Sequence, residues 1–196
     1  MKRQVIVIHG GNSFKTHGAY IAFLKNRRIN FRHYLREKSN WKKGLGKELG
    51  RSYEVILLDM PNKLNAKYAE WKIWFEKFIP HFKSGVVLIG HSLGGLFLAK
   101  YLSENNFSKA IRATALVSPP WSRGDFRLKK NLRRLEEQGG KIFLYQSKDD
   151  RLVPFTNFRK YRVALQSSTP RIFRRKGHFN QENFFELTKD IKDLFR

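Results

Sequence analysis

The chain has 196 residues, enough for one domain with a full core, and its 41% hydrophobic and 14% aromatic content belongs to a globular rather than a disordered chain. It has no cysteine, which excludes disulfides and thiolate metal sites and makes a cytoplasmic address the default, and no apolar run approaches the roughly 20 residues of a membrane span. The 40 Lys+Arg against 16 Asp+Glu leave a net charge of +24, a field that would draw in nucleic acid, anionic lipid or acidic substrates. The basic residues are scattered, as Arg27-Arg28, Lys42-Lys43, Lys129-Lys130, Arg133-Arg134 and Arg174-Arg175-Lys176. No helix-turn-helix, zinc-finger or RNA-binding signature accompanies them, so a solvated basic surface is preferred to a nucleic-acid-binding one.

Met1 to Gln4 followed by Val5–Ile8 is too short for a signal peptide and runs into a glycine turn. It reads as a first strand, covered on both faces. His9-Gly10-Gly11-Asn12 follows, a turn that lets backbone approach a bound oxygen; the N–H of Gly11, or failing that of Asn12, is a candidate oxyanion donor. His9 reads as a packed turn histidine. Residues 14–39 read as an insertion bordering a pocket, with Ala19–Leu24 helical and a basic aromatic stretch from Arg27 to Leu35. Ser39–Leu49 is a helix with Ser39 or Asn40 as N-cap and Gly50 as stop. Tyr53–Asp59 is a strand. Tyr68, Trp71, Trp74, Phe75 and Phe78 recur at helical spacing between Ala66 and Ile79, before Pro80. Beyond the stretch from Val86 to Asn106, Ile111–Val117 is a strand. A short lid of about ten residues leads to a helix at Leu128–Gln138, then a strand at Lys141–Gln146. A helix at Asn157–Leu165, a strand at Arg171–Arg174 and a last helix at Glu182–Phe195 complete the chain. Strands and helices alternate throughout, which predicts a parallel sheet with helices on both faces.

The chemistry concentrates where Val86–Ile89 meets Gly90-His91-Ser92-Leu93-Gly94-Gly95 and a helical segment. This is G-x-S-x-G between a strand and a helix. The pattern needs glycines because a side chain at either flank would strike the neighbouring strand or helix. The turn lifts the Ser92 hydroxyl above the sheet, and the Leu93 N–H at the helix N-terminus is free to donate to an oxyanion. Asp149-Asp150 and His178 each follow a later predicted strand. Asp150, which begins D-x-x-V-P, is preferred to Asp149 as the acid that holds the His178 tautomer, and His178 takes the Ser92 proton. No His/Asp/Glu group has metal-ligand spacing, so no metal is expected.

Asp59-Met60-Pro61-Asn62, the Trp71-Lys72-Ile73-Trp74-Phe75-Glu76 helix, Gly90 to Gly95, Lys148-Asp149-Asp150-Arg151-Leu152-Val153-Pro154 and Gly177-His178-Phe179-Asn180 together resemble the small serine hydrolases of the retinoblastoma-binding-protein-nine type and their bacterial relatives. The resemblance spans nearly all of Trp41–Arg196. It implies a single α/β-hydrolase-like domain, a doubly wound parallel sheet of about six strands with a short lid, and no cofactor. It also implies Ser92, Asp150 and His178 as nucleophile, acid and base. The expected activity is a carboxylesterase on small esters through an acyl-enzyme, with thioester and amide substrates served by the same machinery. The alternative is a non-enzymatic scaffold of the same fold whose basic surface grips nucleic acid or an acidic partner. The insertion and the net charge depart from the family pattern. Arg27, Arg28 and Arg32 in the insertion, with Arg123 and Arg127 in the lid, are expected near the pocket mouth.

Overall fold

The computed structural model describes residues 1–29, 31, 40–129 and 131–196. In chain order its elements are β1 (Arg3–Ile8), α1 (His17–Asn26), α2 (Trp41–Leu49), β2 (Tyr53–Leu58), α3 (Tyr68–Phe78), β3 (Val86–His91), α4 (Leu93–Glu104) and β4 (Ile111–Val117). A small hairpin of β5 (Ser122–Arg123) and β6 (Phe126–Arg127) follows. Then come α5 (Arg133–Gln138), β7 (Lys141–Ser147), α6 (Phe155–Ala164), β8 (Thr169–Phe173) and α7 (Phe185–Asp193). Six strands make one parallel sheet in the order β2-β1-β3-β4-β7-β8. Among the described residues no helix is long and apolar enough to cross a membrane.

A strand buried on both faces sends alternate side chains into two cores, and β1 does so. Ile6 and Ile8 join the layer of α3, α4, α5 and α6. Val5 and Val7 join the layer of α2 and α7. The connection leaving β1 therefore runs over one face, through α2, while the connection leaving β3 runs over the other, through α4. Where neighbouring strands part in this way a crevice opens beyond their carboxyl ends, and ligands of such sheets bind there. The register aligns Ile8 with Gly90, so the His9-Gly10-Gly11 turn stands beside Ser92 at that crevice.

The helices begin and end where local chemistry directs. Asn40 caps α2, its side chain accepting the Lys42 N–H, and Gly50 ends it at φ 92°. The segment before α5 differs from the sequence expectation: the helix starts at Arg133, not Leu128. Asn131 accepts the Arg133 N–H, a local turn that competes with helix. Gly124 turns the preceding hairpin at φ 59° and packs on Ser13. Asp125 then accepts from both the Ser13 hydroxyl and the Tyr68 N–H at the start of α3. The short lid is thus pinned to the loop after β1.

The elbow is closed by backbone packed on backbone. A Cβ on Gly94 would sit 2.4 Å from the Ile8 carbonyl oxygen and 2.6 Å from that of His9. Both are backbone atoms at the end of a central strand and have nowhere to move. Gly94→Ala should therefore lower unfolding stability by about 1–3 kcal/mol or more. Gly18→Ala in α1, where a Cβ meets nothing within 4 Å, should be neutral or gain a few tenths of a kcal/mol. Urea midpoints of the two variants compare them directly, and equal midpoints would contradict the packing described.

Candidate active site

Ser92 sits at φ 54° and ψ −120° as the N-cap of α4. This backbone costs a non-glycine residue about 1–3 kcal/mol. Val86, Val87, Leu88 and Ile89 of β3 are almost wholly buried, and each contributes about 1.5–3 kcal/mol, so the strand outweighs the strain at its end. The Ser92 N–H is fixed by the Val117 carbonyl, and the Ser92 carbonyl accepts from Gly95 and Leu96. Leu93, the first helical residue, has no intrahelical acceptor for its N–H. Ser92 is half-buried, and its hydroxyl is unbonded among the described residues.

Across the cavity, the His178 Nδ1–H donates to Asp150 Oδ2 at 2.8 Å. The His178 side chain is 10% exposed and the Asp150 carboxylate fully covered. Asp150 follows β7 and His178 follows β8, so the structure brings Ser92, Asp150 and His178 to the same edge of the sheet. Ser92 and His178 line one cavity of about 590 Å³. With Nδ1 donating to a carboxylate, the Nε2 lone pair of His178 is left for another partner. No hydrogen bond joins it to Ser92 here, a contact that substrate-free sites often leave loose.

Asp150 is gripped from every side. Oδ1 accepts the N–H groups of Leu152 and Val153 at 2.9 and 3.0 Å. Oδ2 accepts from His178, from the Ser118 hydroxyl and from Gln146. Burial pushes the carboxyl's pKa up, but the hydrogen bonds from His178, Ser118 and Val153 outweigh it and hold the group below its ordinary range. Asp149 is different. It is exposed, and its Oδ1 accepts from the Ser147 hydroxyl and the Gly177 N–H. Chiefly the Ser147 hydrogen bond keeps its pKa low as well. It ties the loop after β7 to the loop that carries His178.

Of the two proposed oxyanion donors in the first turn, the geometry separates Gly11 from Asn12. The Asn12 N–H is taken by the Lys63 carbonyl, and the Asn12 carbonyl by the Ala66 N–H. The Gly10 carbonyl accepts from His9 Nδ1 at 2.6 Å. In a trans peptide the Gly11 N–H then points the opposite way, and it has no partner among the described residues. His9 Nε2 accepts the Met60 N–H at 2.9 Å, so neither ring nitrogen is left for proton transfer. The 3.5 Å approach of Asp59 to that nitrogen is accordingly a near contact and not an ion pair.

Several supporting residues were not singled out by the sequence. Ser118, at φ 48°, and Phe179, at φ 53°, are two of the four non-glycine residues with positive φ among those described; Ser92 is a third. Ser118 donates to Asp150, and Phe179 adjoins His178. Strain of this kind gathers at functional sites, where surrounding structure holds it. Trp41 is wholly buried and its indole N–H donates to the Phe179 carbonyl at 2.8 Å, locking the His178 loop to the start of α2. His91, the variable residue of the elbow, is buried, and its Nε2–H donates to the His178 carbonyl at 2.9 Å. Burial, with Lys42 and His178 nearby, holds its pKa well below the usual histidine value. The strand-end position of Ser118 in Ser-Pro-Pro was a usable signal; the other contacts join residues too far apart in sequence to have one.

The basic side chains expected at the mouth divide. Arg123 lines the cavity, as do Lys42, Lys43 and Lys63. Arg27, Arg28 and Arg127 are not part of its lining, and Arg32 lies outside the described residues. The described part of the 14–39 segment packs elsewhere. α1 buries no residue, and Phe14 meets Tyr20 and Phe23 at ring distances of 5.7 and 5.0 Å. Among the described residues no group of three or more His, Asp or Glu side chains is placed to hold a metal ion.

Comparison with protein families matches residues 33–196 to the family described as Serine hydrolase. No curated protein matches the chain. Among solved structures, the ydeN gene product of B. subtilis superposes with a TM-score of 0.77 at 19% identity, covering 99% of both chains. A serine hydrolase involved in carbazole degradation (the CarC enzyme) gives 0.64 at 14% identity over 98% of this chain and 91% of that one. Est1E from Butyrivibrio proteoclasticus, solved with ferulic acid, gives 0.59 at 13% identity over 97% and 87%. These likenesses establish the α/β-hydrolase fold, a parallel six-stranded sheet with flanking helices. With the family match extending over most of its length, the chain belongs to the serine hydrolase family.

Proposed function

We propose that the protein is a carboxylesterase acting on small esters through an acyl-enzyme on Ser92. The observation that carries this reading is the 2.8 Å bond to a buried Asp150 from His178, which lines the cavity that Ser92 enters at a strained turn. His178, held as the Nδ1–H tautomer, takes the Ser92 proton as Oγ attacks the ester carbonyl and hands it to the departing alcohol. The N–H groups of Gly11 and Leu93 receive the charge that develops on the carbonyl oxygen. Water then attacks the acyl carbon as His178 takes its proton; His178 returns that proton to Ser92 Oγ as the bond to the acyl group breaks, and the released acid ionises to a carboxylate. Thioester and amide substrates fit the same steps.

A fluorophosphonate probe tests the reading. It should label the native protein once, at Ser92, and the heat-unfolded protein not at all, with mass spectrometry placing the adduct. Absence of labelling together with salt-dependent binding of DNA would favour the scaffold alternative that the basic surface raises.

A further inference from the structure

Lys42 is the second residue of α2, and its ammonium is placed where the fold gives it little support. It lies partly buried, 4.9 Å above the Trp41 ring and 3.5 Å from His91 Nδ1. That nitrogen carries a lone pair, since Nε2 is the one donating to the His178 carbonyl. No carboxylate of the described residues comes within ion-pair distance of it, although eight other lysine or arginine ion pairs form among them. The positive end of a helix dipole adds a further penalty to a cation in the first turn. Loss of solvent lowers the Lys42 pKa to about 8. A folding role alone would be served better by an uncharged side chain. The cavity supplies the other half of the argument. Lys42, Lys43, Lys63 and Arg123 line it together with Ser92 and His178, against a single carboxylate among the described residues, Asp59, whose side chain is 92% exposed.

Resting on the esterase reading, we propose that the substrate is an ester carrying a separate carboxylate group, and that Lys42 is the residue that receives this carboxylate. His91 aligns the ammonium by accepting one of its protons, and the same ring is bonded to the His178 backbone. Binding of the anion is therefore placed beside the nucleophile and base. Lys63 and Arg123, exposed at the rim, add attraction from solution. Lys42 is a specificity-determining residue in this scheme and takes no part in proton transfer to the ester.

Two matched pairs of chromogenic esters test the proposal. One pair carries the charge on the acyl side, 4-nitrophenyl hydrogen adipate against its methyl ester. The other carries it on the leaving alcohol, the butyryl ester of 4-hydroxybenzoate against that of its methyl ester. In at least one pair kcat/KM should favour the anion by about tenfold to a hundredfold, the range of a charge-assisted hydrogen bond. Lys42→Met, which keeps an apolar stem against Trp41, should bring that ratio near one. Lys42→Arg should preserve it. The titratable groups that face Lys42 are His91 on β3, His178 after β8, with Asp150 behind it, and Lys43 on its own helix. Lys42 loses its proton as pH rises through about 8, so the wild-type ratio should fall there. In Lys42→Arg, which stays charged, it should not. This alkaline fall is read on the native protein and stands even if a variant fails to fold. Hydrolysis of the neutral esters with a ratio near one in both pairs would overturn the proposal while leaving the esterase reading intact. So would a ratio that Lys42→Met leaves unchanged. Failure to hydrolyse any of the four esters would remove both.

Discussion

Ser92→Ala is expected to lower ester turnover by about 10⁶ while the fold survives. Removal of the nucleophile in a triad costs about as much as removal of all three members, because the parts act as a unit. Nothing in the packing depends on the hydroxyl: it is half-buried and unbonded among the described residues. Alanine keeps the Cβ and with it the strained φ of 54°. Glycine at the same position would be equally inactive but relieved of that strain. Ser92→Gly should therefore unfold at a higher temperature than Ser92→Ala, by a margin of about 1 kcal/mol. The pair separates chemistry from stability. Turnover is read with a neutral 4-nitrophenyl ester and unfolding by circular dichroism. Near-native turnover in purified Ser92→Ala would end the acyl-enzyme mechanism.

The parts of this site that could be read in the sequence are those whose chemistry is local. Gly90 and Gly94 announce the elbow because backbone of the next element occupies the space of their side chains, at 2.4 Å in both cases. Asp150 is legible because its own loop supplies the two N–H groups that hold Oδ1. The six parallel strands follow from apolar runs that alternate with helical spacing. The remainder depends on contacts that no spacing encodes. Trp41 meets Phe179 across 138 residues, and Ser118 meets Asp150 across 32. The β5–β6 hairpin has strands of two residues, too short for any period. Arg27 and Arg28 were expected at the cavity because they are basic and near the first turn. They lie just past α1, whose neighbour Phe14 packs on it and whose helix enters neither core. Lys42 was visible only as one of many basic residues. Its place beside His91 comes from the Asn40 cap, which sets where α2 begins, and from Trp41, which sets how that turn meets the His178 loop.

Asp150→Asn is expected to lose about 10³–10⁴ in kcat and Asp149→Asn about tenfold or less, an ordering that follows from what each carboxylate accepts. All the bonds to Asp150 come from donors: two backbone amides on Oδ1, and His178, Ser118 and Gln146 on Oδ2. An asparagine must aim its NH₂ at one of these sets. Facing Leu152 and Val153 it would meet two amides that cannot turn away. Facing His178 it forces the imidazole to accept at Nδ1 and so to carry its proton on Nε2. A ring in that tautomer cannot take the proton of Ser92. Asp149 offers one oxygen to two donors, Ser147 and Gly177, and an asparagine carbonyl can serve both. The acid limb of stability gives a second readout. The folded Asp150 carboxyl lies below the ordinary carboxyl value of 3.8. Its contribution to stability is therefore complete above about pH 4 and is lost as pH falls through the depressed value. Asp150→Asn should flatten that part of the stability curve below about pH 4, and its midpoint at pH 7 should drop. Turnover that suffers more from Asp149→Asn than from Asp150→Asn would assign the acid to the wrong residue. It would then make the Asp150 cluster a structural staple of the loop after β7.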